Sequence, residues 1–154
     1  MATKSMQPTE ETYPESDPVA DVLLTRLGYP KAVATGPDDC VYVGCHRPGG
    51  LERFCRSEDG YRSDWSLDIG NVSGIAVAPG GVVYASVRDG SGPCILVITP
   101  DGKVSDRWTG GGQGRLTNPQ GIAVDSQGRF HVLEATWWDG VQVADANHVV
   151  RLSP

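Results

Sequence analysis

The side chains able to do chemistry are few and poorly assembled. Three histidines, His46, His131 and His148, stand apart from one another, and no Gly-x-Ser-x-Gly elbow accompanies them. A serine triad needs a nucleophile, a base and an orienting acid, and the chain offers no such set, so no residue is assigned a catalytic role. Cys40, Cys45, Cys55 and Cys94 lack the paired Cys-x-x-Cys spacing of a zinc site. With the histidines equally unpaired, no metal ligand set and no cofactor are expected. The four thiols are either reduced and partly buried or, for Cys40 and Cys55, bridged. If strands 40–45 and 51–56 form a hairpin closed over 46–50, those two face each other across it, and a bridge there requires an oxidising compartment. The run Gly110-Gly111-Gly112-Gln113-Gly114 lacks the Lys-Ser/Thr pair and the following helix of a phosphate loop, so it reads as a connection.

Polar residues in loops are better candidates. His46-Arg47-Pro48 and Arg88-Asp89-Gly90 fall between strand-like runs, and a longer excursion over 134–146 contains Trp137-Trp138-Asp139. Two adjacent indoles on a loop tip are costly to leave in water. They suit a sugar face, a peptide or a neighbouring subunit, unless the loop folds down to cap its own sheet. His46, Arg47, Arg88, Asp89, Trp137, Trp138 and Asp139 are therefore the candidate binding residues. Glu134, Asp139 and Asp145 could supply oxygen ligands to a hard cation, but no matching acids recur elsewhere. Asn71-Val72-Ser73 fits a glycosylation sequon. His131 reads as a stand-in for an aromatic packing residue.

The elements that position these loops are repeated. Residues 74–85 read Gly-Ile-Ala-Val-Ala-Pro-Gly-Gly-Val-Val-Tyr-Ala, and residues 121–132 read Gly-Ile-Ala-Val-Asp-Ser-Gln-Gly-Arg-Phe-His-Val. A looser copy, Lys-Ala-Val-Ala-Thr-Gly-Pro-Asp-Asp-Cys-Val-Tyr-Val, spans 31–43, with Lys31 in the place of the first Gly. Tyr42, Tyr84 and His131 mark a period of roughly 40–50 residues, the length of one β-propeller blade. Each repeat predicts a small-residue first strand (32–35, 75–78, 122–125) and a second strand (40–44, 82–86, 129–133). A third follows at 51–56, 95–99 and 147–152, and a fourth at 61–66 and 103–109 after Asp-Gly turns, the strongest short hairpin signal. Trp65 and Trp108, at matching places near the fourth-strand ends, are expected to pack between sheets.

Asn118-Pro119-Gln120-Gly121-Ile122-Ala123-Val124-Asp125 with its Gly turn resembles the opening of an NHL repeat. Val97-Ile98-Thr99-Pro100-Asp101-Gly102-Lys103 and the glycine-rich 108–114 resemble its second half and the link to the next. The resemblance covers about residues 28–154. It implies an all-β fold of β-propeller blades, each of four antiparallel strands, with three blades per chain. Related six-bladed sheets occur in virginiamycin-type lyases and gluconolactonase-like proteins. The expected function is a non-catalytic binding or assembly scaffold for a protein or carbohydrate partner. The alternative is a metal-assisted lyase or lactonase-like enzyme.

The chain has 154 residues, 39% hydrophobic and 21% charged, with 20 glycines, 11 prolines and a net charge of −6. That suits one globular domain rich in turns, without a basic field for nucleic acid or anionic lipid. No run approaches the ~20 apolar residues of a membrane span, and no apolar leader is seen at the start, which points to the cytoplasm. Residues 1–18, with Pro8, Pro14 and Pro18 among polar residues, read as a flexible arm. Residues 19–154 form the half-propeller. Three blades are too few to close a ring, and the third repeat stops after its third strand. The expected remedy is a homodimer in which residues 20–27 supply a strand to the partner's third blade, giving six blades.

Overall fold

The computed structural model describes Leu24 and residues 27–111, 114–135 and 148–152. The N-terminal arm, most of the segment 20–27 and the loop carrying Trp137, Trp138, Asp139 and Asp145 lie outside the described residues. Among those described there is no helix; eleven strands build three antiparallel sheets. The first comprises β1 (Tyr29–Thr35), β2 (Val41–Arg47), β3 (Gly50–Ser57) and β4 (Gly60–Leu67). The second comprises β5 (Asn71–Val77), β6 (Val83–Asp89), β7 (Gly92–Ile98) and β8 (Val104–Trp108). Two short strands, β9 (Gly110–Gly111) and β10 (Gly114–Arg115), pair in the link to the third sheet. That sheet holds β11 (Pro119–Val124), β12 (Phe130–Glu134) and β13 (His148–Leu152). Each sheet is a meander, its strands ordered in space as in sequence.

The repeats are equivalent down to their turns. Ala34 pairs with Tyr42, Ala76 with Tyr84 and Ala123 with His131. The first turn of each is closed by one backbone bond: Gly36 N to Cys40 O at 2.9 Å, Ala78 N to Val82 O at 2.9 Å, and Asp125 N to Arg129 O at 3.0 Å. Each turn needs one left-handed residue, which glycine adopts without steric cost. Gly81 (φ 85°) and Gly128 (φ 74°) supply it in two repeats, and Asp39 (φ 55°) in the other.

The register corrects one alignment. Ala32 pairs with Gly44 as Gly74 pairs with Ser86, so Ala32, not Lys31, takes the place of the repeat's glycine. Lys31 falls where the register shifts between Pro30 and Ala32. Comparable shifts occur between Val72 and Gly74 and between Pro119 and Ile122. Every first strand thus carries a bulge at its entry.

Two cores lie between successive sheets. Cys94, Leu96 and Ile98 of β7 pack into the first, with Tyr42, Leu51, Val83, Ala85 and Val87. Ile95, on the opposite face of β7, packs into the second with Phe130, Val132 and Leu152. Both faces of the middle sheet are covered, so β7 reads as a continuous apolar run and not as an alternation. Each fully buried side chain of this kind contributes about 1.5–3 kcal/mol.

The tryptophans span the sheets. Trp65 meets Tyr42 edge-on at 5.9 Å between centroids, and its Nε1 donates to Pro100 O, 3.2 Å away in a turn of the second sheet. Gly102 lies under that indole; a Cβ there would stand 2.8 Å from the ring. Trp108 and Tyr84 contact Phe130 of the third sheet at 5.8 and 3.8 Å.

His131 departs from the aromatic role expected of it. Its Nε2 lies 3.0 Å from Asp125 Oδ2, and the ring stays partly exposed. The reason is its position: Tyr42 and Tyr84 face a following sheet, whereas the face of β12 and β13 bearing His131 also shows exposed Leu133 and Val149. The hairpin of β2 and β3 brings Cys40 opposite Cys55, one step beyond the Val41–Phe54 pair, and they form a disulfide with Cα atoms 4.2 Å apart. Cys45 and Cys94 remain thiols, and burial raises the pKa of both.

Candidate functional site

The first strands converge. Ser73 Oγ donates to Pro119 O at 2.9 Å, tying β5 to β11. A Cβ on Gly74 would lie 2.0 Å from Gln120 O, and one on Gly44 would lie 2.4 Å from Val72 Cγ1. Only small residues permit sheets to approach this closely. At the entry end of these strands opens a cleft of about 190 Å³ to which all three sheets contribute.

The bulges explain its lining. An extra residue in one strand is left outside the ladder and its side chain is re-aimed. Lys31, Ser73 and Gln120, at the bulges of β1, β5 and β11, all line the cleft. Asn71 and Asn118, at matching places of the second and third repeats, line it too. His46 and Arg88, near the ends of β2 and β6, complete the polar wall. A second hollow of about 430 Å³ shares Lys31 and His46 and adds Tyr29 and Arg47.

Several of these groups are held in place. Glu134 is only 2% exposed, yet its Oε2 accepts from Thr117 N at 2.9 Å and Thr117 Oγ1 at 2.7 Å. Arg88 Nη2 donates to Thr117 O at 3.1 Å. The buried carboxylate therefore fixes the segment on which the guanidinium rests. Asn118 Nδ2 donates to Ala135 O, and its Oδ1 accepts from Gln120 Nε2 at 2.9 Å. Glu134 Oε1 has no hydrogen-bond partner among the described residues.

Of the residues expected to bind, the fold brings His46 and Arg88 into the cleft and Arg47 into the adjoining hollow. All three belong to strand ends and not to loops; the turns themselves are Pro48-Gly49 and Gly90-Ser91. Asp89 turns into its own sheet. It forms an ion pair with Arg107 and accepts from Ser91 N at 2.7 Å, and the Arg107 guanidinium holds its carboxyl below the usual range. Its work is to close the β6–β7 turn against β8. Trp137, Trp138 and Asp139 lie outside the described residues. Glu134, considered above as a cation ligand, commits one oxygen to Thr117, and among the described residues no three His, Cys, Asp or Glu side chains gather.

Reading the sequence missed Lys31, Asn71, Ser73, Asn118 and Gln120. A signal existed: Asn71 and Asn118 open successive repeats three residues before the Gly of Gly-Ile-Ala-Val. That recurrence marked a shared rim as well as a fold. Neither a family model nor a curated protein sequence matches the chain. Among the described residues, no helix is long and apolar enough to cross a membrane.

Proposed function

We propose that the three sheets are blades of an NHL-like β-propeller and that the protein is a non-catalytic binding or assembly scaffold, taking its protein or carbohydrate partner at the rim. The observation that carries this reading is the cleft itself. Its wall is drawn from equivalent bulge and entry positions of three consecutive repeats, as expected where blades surround a channel mouth. The fold supplies a rigid frame, and loops or strand ends at one rim vary to suit the ligand.

A second copy completes the ring in this reading. The middle sheet packs its Tyr84 face on the third sheet, and the corresponding face of the third sheet bears exposed Leu133 and Val149. At the other end, Val33 of the first sheet is exposed beside a hollow lined by Leu24, Leu27, Val41 and Val43. These are the two halves of an interface used twice already within the chain. The Cys40–Cys55 bridge favours an oxidising compartment over the cytoplasm.

Two measurements test the proposal. Amide chemical-shift mapping against neutral and acidic saccharides and short peptides should place perturbations at Lys31, His46, Asn71, Arg88 and Asn118. Perturbation confined to another surface, or turnover of any probe, would remove the scaffold reading. Light scattering should report about twice 16.4 kDa, and Leu133→Asp should return a folded monomer. A monodisperse wild-type monomer would sink the dimer.

A further inference from the structure

The groups that the cleft leaves for a ligand are neutral amides. Its lysine and its arginine are both engaged. Arg88 Nη2 donates to Thr117 O at 3.1 Å, and Glu134 Oε2 accepts from Thr117 N and Thr117 Oγ1. Guanidinium and carboxylate are thus bonded to one residue, where opposite charges offset one another. Lys31 has an interaction partner of its own. The Asn71 amide, by contrast, has no side-chain hydrogen bond among the described residues. Gln120 Nε2 gives one proton to Asn118 Oδ1 at 2.9 Å, which leaves its second N–H and its Oε1. A carboxamide sets a donor beside an acceptor, and two adjacent hydroxyls match that pair group for group.

The adjoining hollow adds an aromatic surface. At about 430 Å³ it falls within the range of about 300–1,000 Å³ of small-molecule sites. Tyr29 lines it and is 64% exposed, its ring 6.2 Å from that of His46 and tilted 61° to it. That contact orients the phenol ring without covering it. Arg47 lines the same hollow and brings N–H donors for hydroxyl oxygens. An aromatic face held in water beside polar groups suits a partner with an apolar face and a polar edge. A pyranose ring is divided in that way, with C–H groups on its face and hydroxyls around its edge.

Resting on the binding reading above, we propose that the rim holds one uncharged pyranose unit of a carbohydrate. The C–H face of the sugar stacks on Tyr29, and its neighbouring hydroxyls bond to the Asn71 and Gln120 amides. His46 lines both hollows and joins the aromatic side to the polar one. Asn71 and Gln120 belong to β5 and β11 of different repeats, so the packing of two sheets fixes which arrangement of hydroxyls is accepted.

The test is a calorimetric and NMR titration of the full chain at about 20 and about 200 mM salt. The probes are methyl β-glucoside, methyl β-galactoside, methyl α-mannoside, glucuronate and a Gly-Ser-Gly-Ser peptide. At least one glycoside should saturate with a Kd on the order of 1 mM, equally at both salt concentrations. It should shift the Asn71 and Gln120 side-chain amides and the Tyr29 ring. Tyr29→Ala and Asn71→Ala should each weaken binding roughly tenfold, the effect of one lost aromatic or hydrogen-bonded contact, while melting like the wild type. Tyr29→Phe should recover most of the affinity lost in Tyr29→Ala. If Asn71→Ala fails to fold, the exposed Tyr29 decides alone. The peptide shifting these groups while no glycoside saturates would overturn the sugar and leave a binding rim. Glucuronate binding tenfold tighter than the glucoside, and only at low salt, would overturn the uncharged ligand and also leave the rim. Folded variants that bind glycosides like the wild type would overturn the site, and no saturation by any probe would overturn both the site and the binding reading.

Discussion

Replacing Gly74 by Ala tests the convergence of the first strands directly. The added Cβ would lie 2.0 Å from Gln120 O and 3.1 Å from Gly121 Cα, both backbone atoms with no side chain to swing aside. Restoring ordinary contact separates β5 from β11 by on the order of 1 Å, an overpacking that costs about 1–3 kcal/mol. The same movement stretches the Ser73 Oγ–Pro119 O bond of 2.9 Å, and its loss adds about 1 kcal/mol. Lower chain entropy in the unfolded state returns about 0.4–1 kcal/mol. The net expectation is a loss of about 1–3.5 kcal/mol. With a urea m-value of about 2 kcal/mol/M, the midpoint should fall by roughly 0.5–2 M. Gly80→Ala is the control: no atom lies within 4 Å of its Cβ, so its unfolding free energy should stay within about 0.5 kcal/mol of wild type. Equal midpoints for Gly74→Ala and wild type in equilibrium urea unfolding would refute the close approach of β5 and β11, and with it the architecture of the cleft.

The left-handed turn position gives a pair of changes with opposite signs. Gly128→Ala meets nothing within 4 Å but must hold φ near 74°, so it should cost about 1–2 kcal/mol in thermal unfolding. Asp39→Gly relieves a φ of 55° and should raise stability by up to about 1 kcal/mol, the unfolded-state entropy taking back part of the gain. Asp125 gives the pH test. Bonded to His131, Arg129 and the Gln127 and Arg129 amides, its carboxyl is held well below the usual range. A depressed folded pKa contributes stability that is present above the unfolded value of about 3.9 and is lost as pH falls toward the folded one. Asp125→Asn should therefore be less stable than wild type at pH 7, with the difference shrinking below about pH 4. A gap that stays constant into acid would exclude the carboxylate charge as its source.

Much of the fold was legible because the interactions that specify it are local. The recurrence of Gly-Ile-Ala-Val, the Asp-Gly turns and the small residues opposite Tyr42 and Tyr84 place the predicted strands within a few residues of those observed. The hairpin over 46–50 also made the Cys40–Cys55 pairing readable as one of two alternatives. Local rules decide such features, since strand register and turn type follow from neighbours in sequence.

The site was not legible in the same way. A bulge adds one residue to a strand and inverts the alternation beyond it. The copy at 31–43 was aligned one residue early, with Lys31 in the place of a glycine; counting back from Tyr42 sets Ala32 there, and the bulge decides only that Lys31 lines the cleft. His131 looked like a packing residue because its column in the repeat is aromatic. Only the arrangement of the sheets shows that no described sheet covers its face and that Asp125 takes its ring. Arg88 and Asp89 are adjacent in sequence and were read together, yet a strand sends successive side chains to opposite faces. One reaches the rim and the other closes a turn with Arg107. The sequence by itself determined three repeats, their strands and their turns. Which side chains meet at the rim was decided only when three sheets were set side by side, because those side chains come from residues about one repeat apart and no local rule couples them.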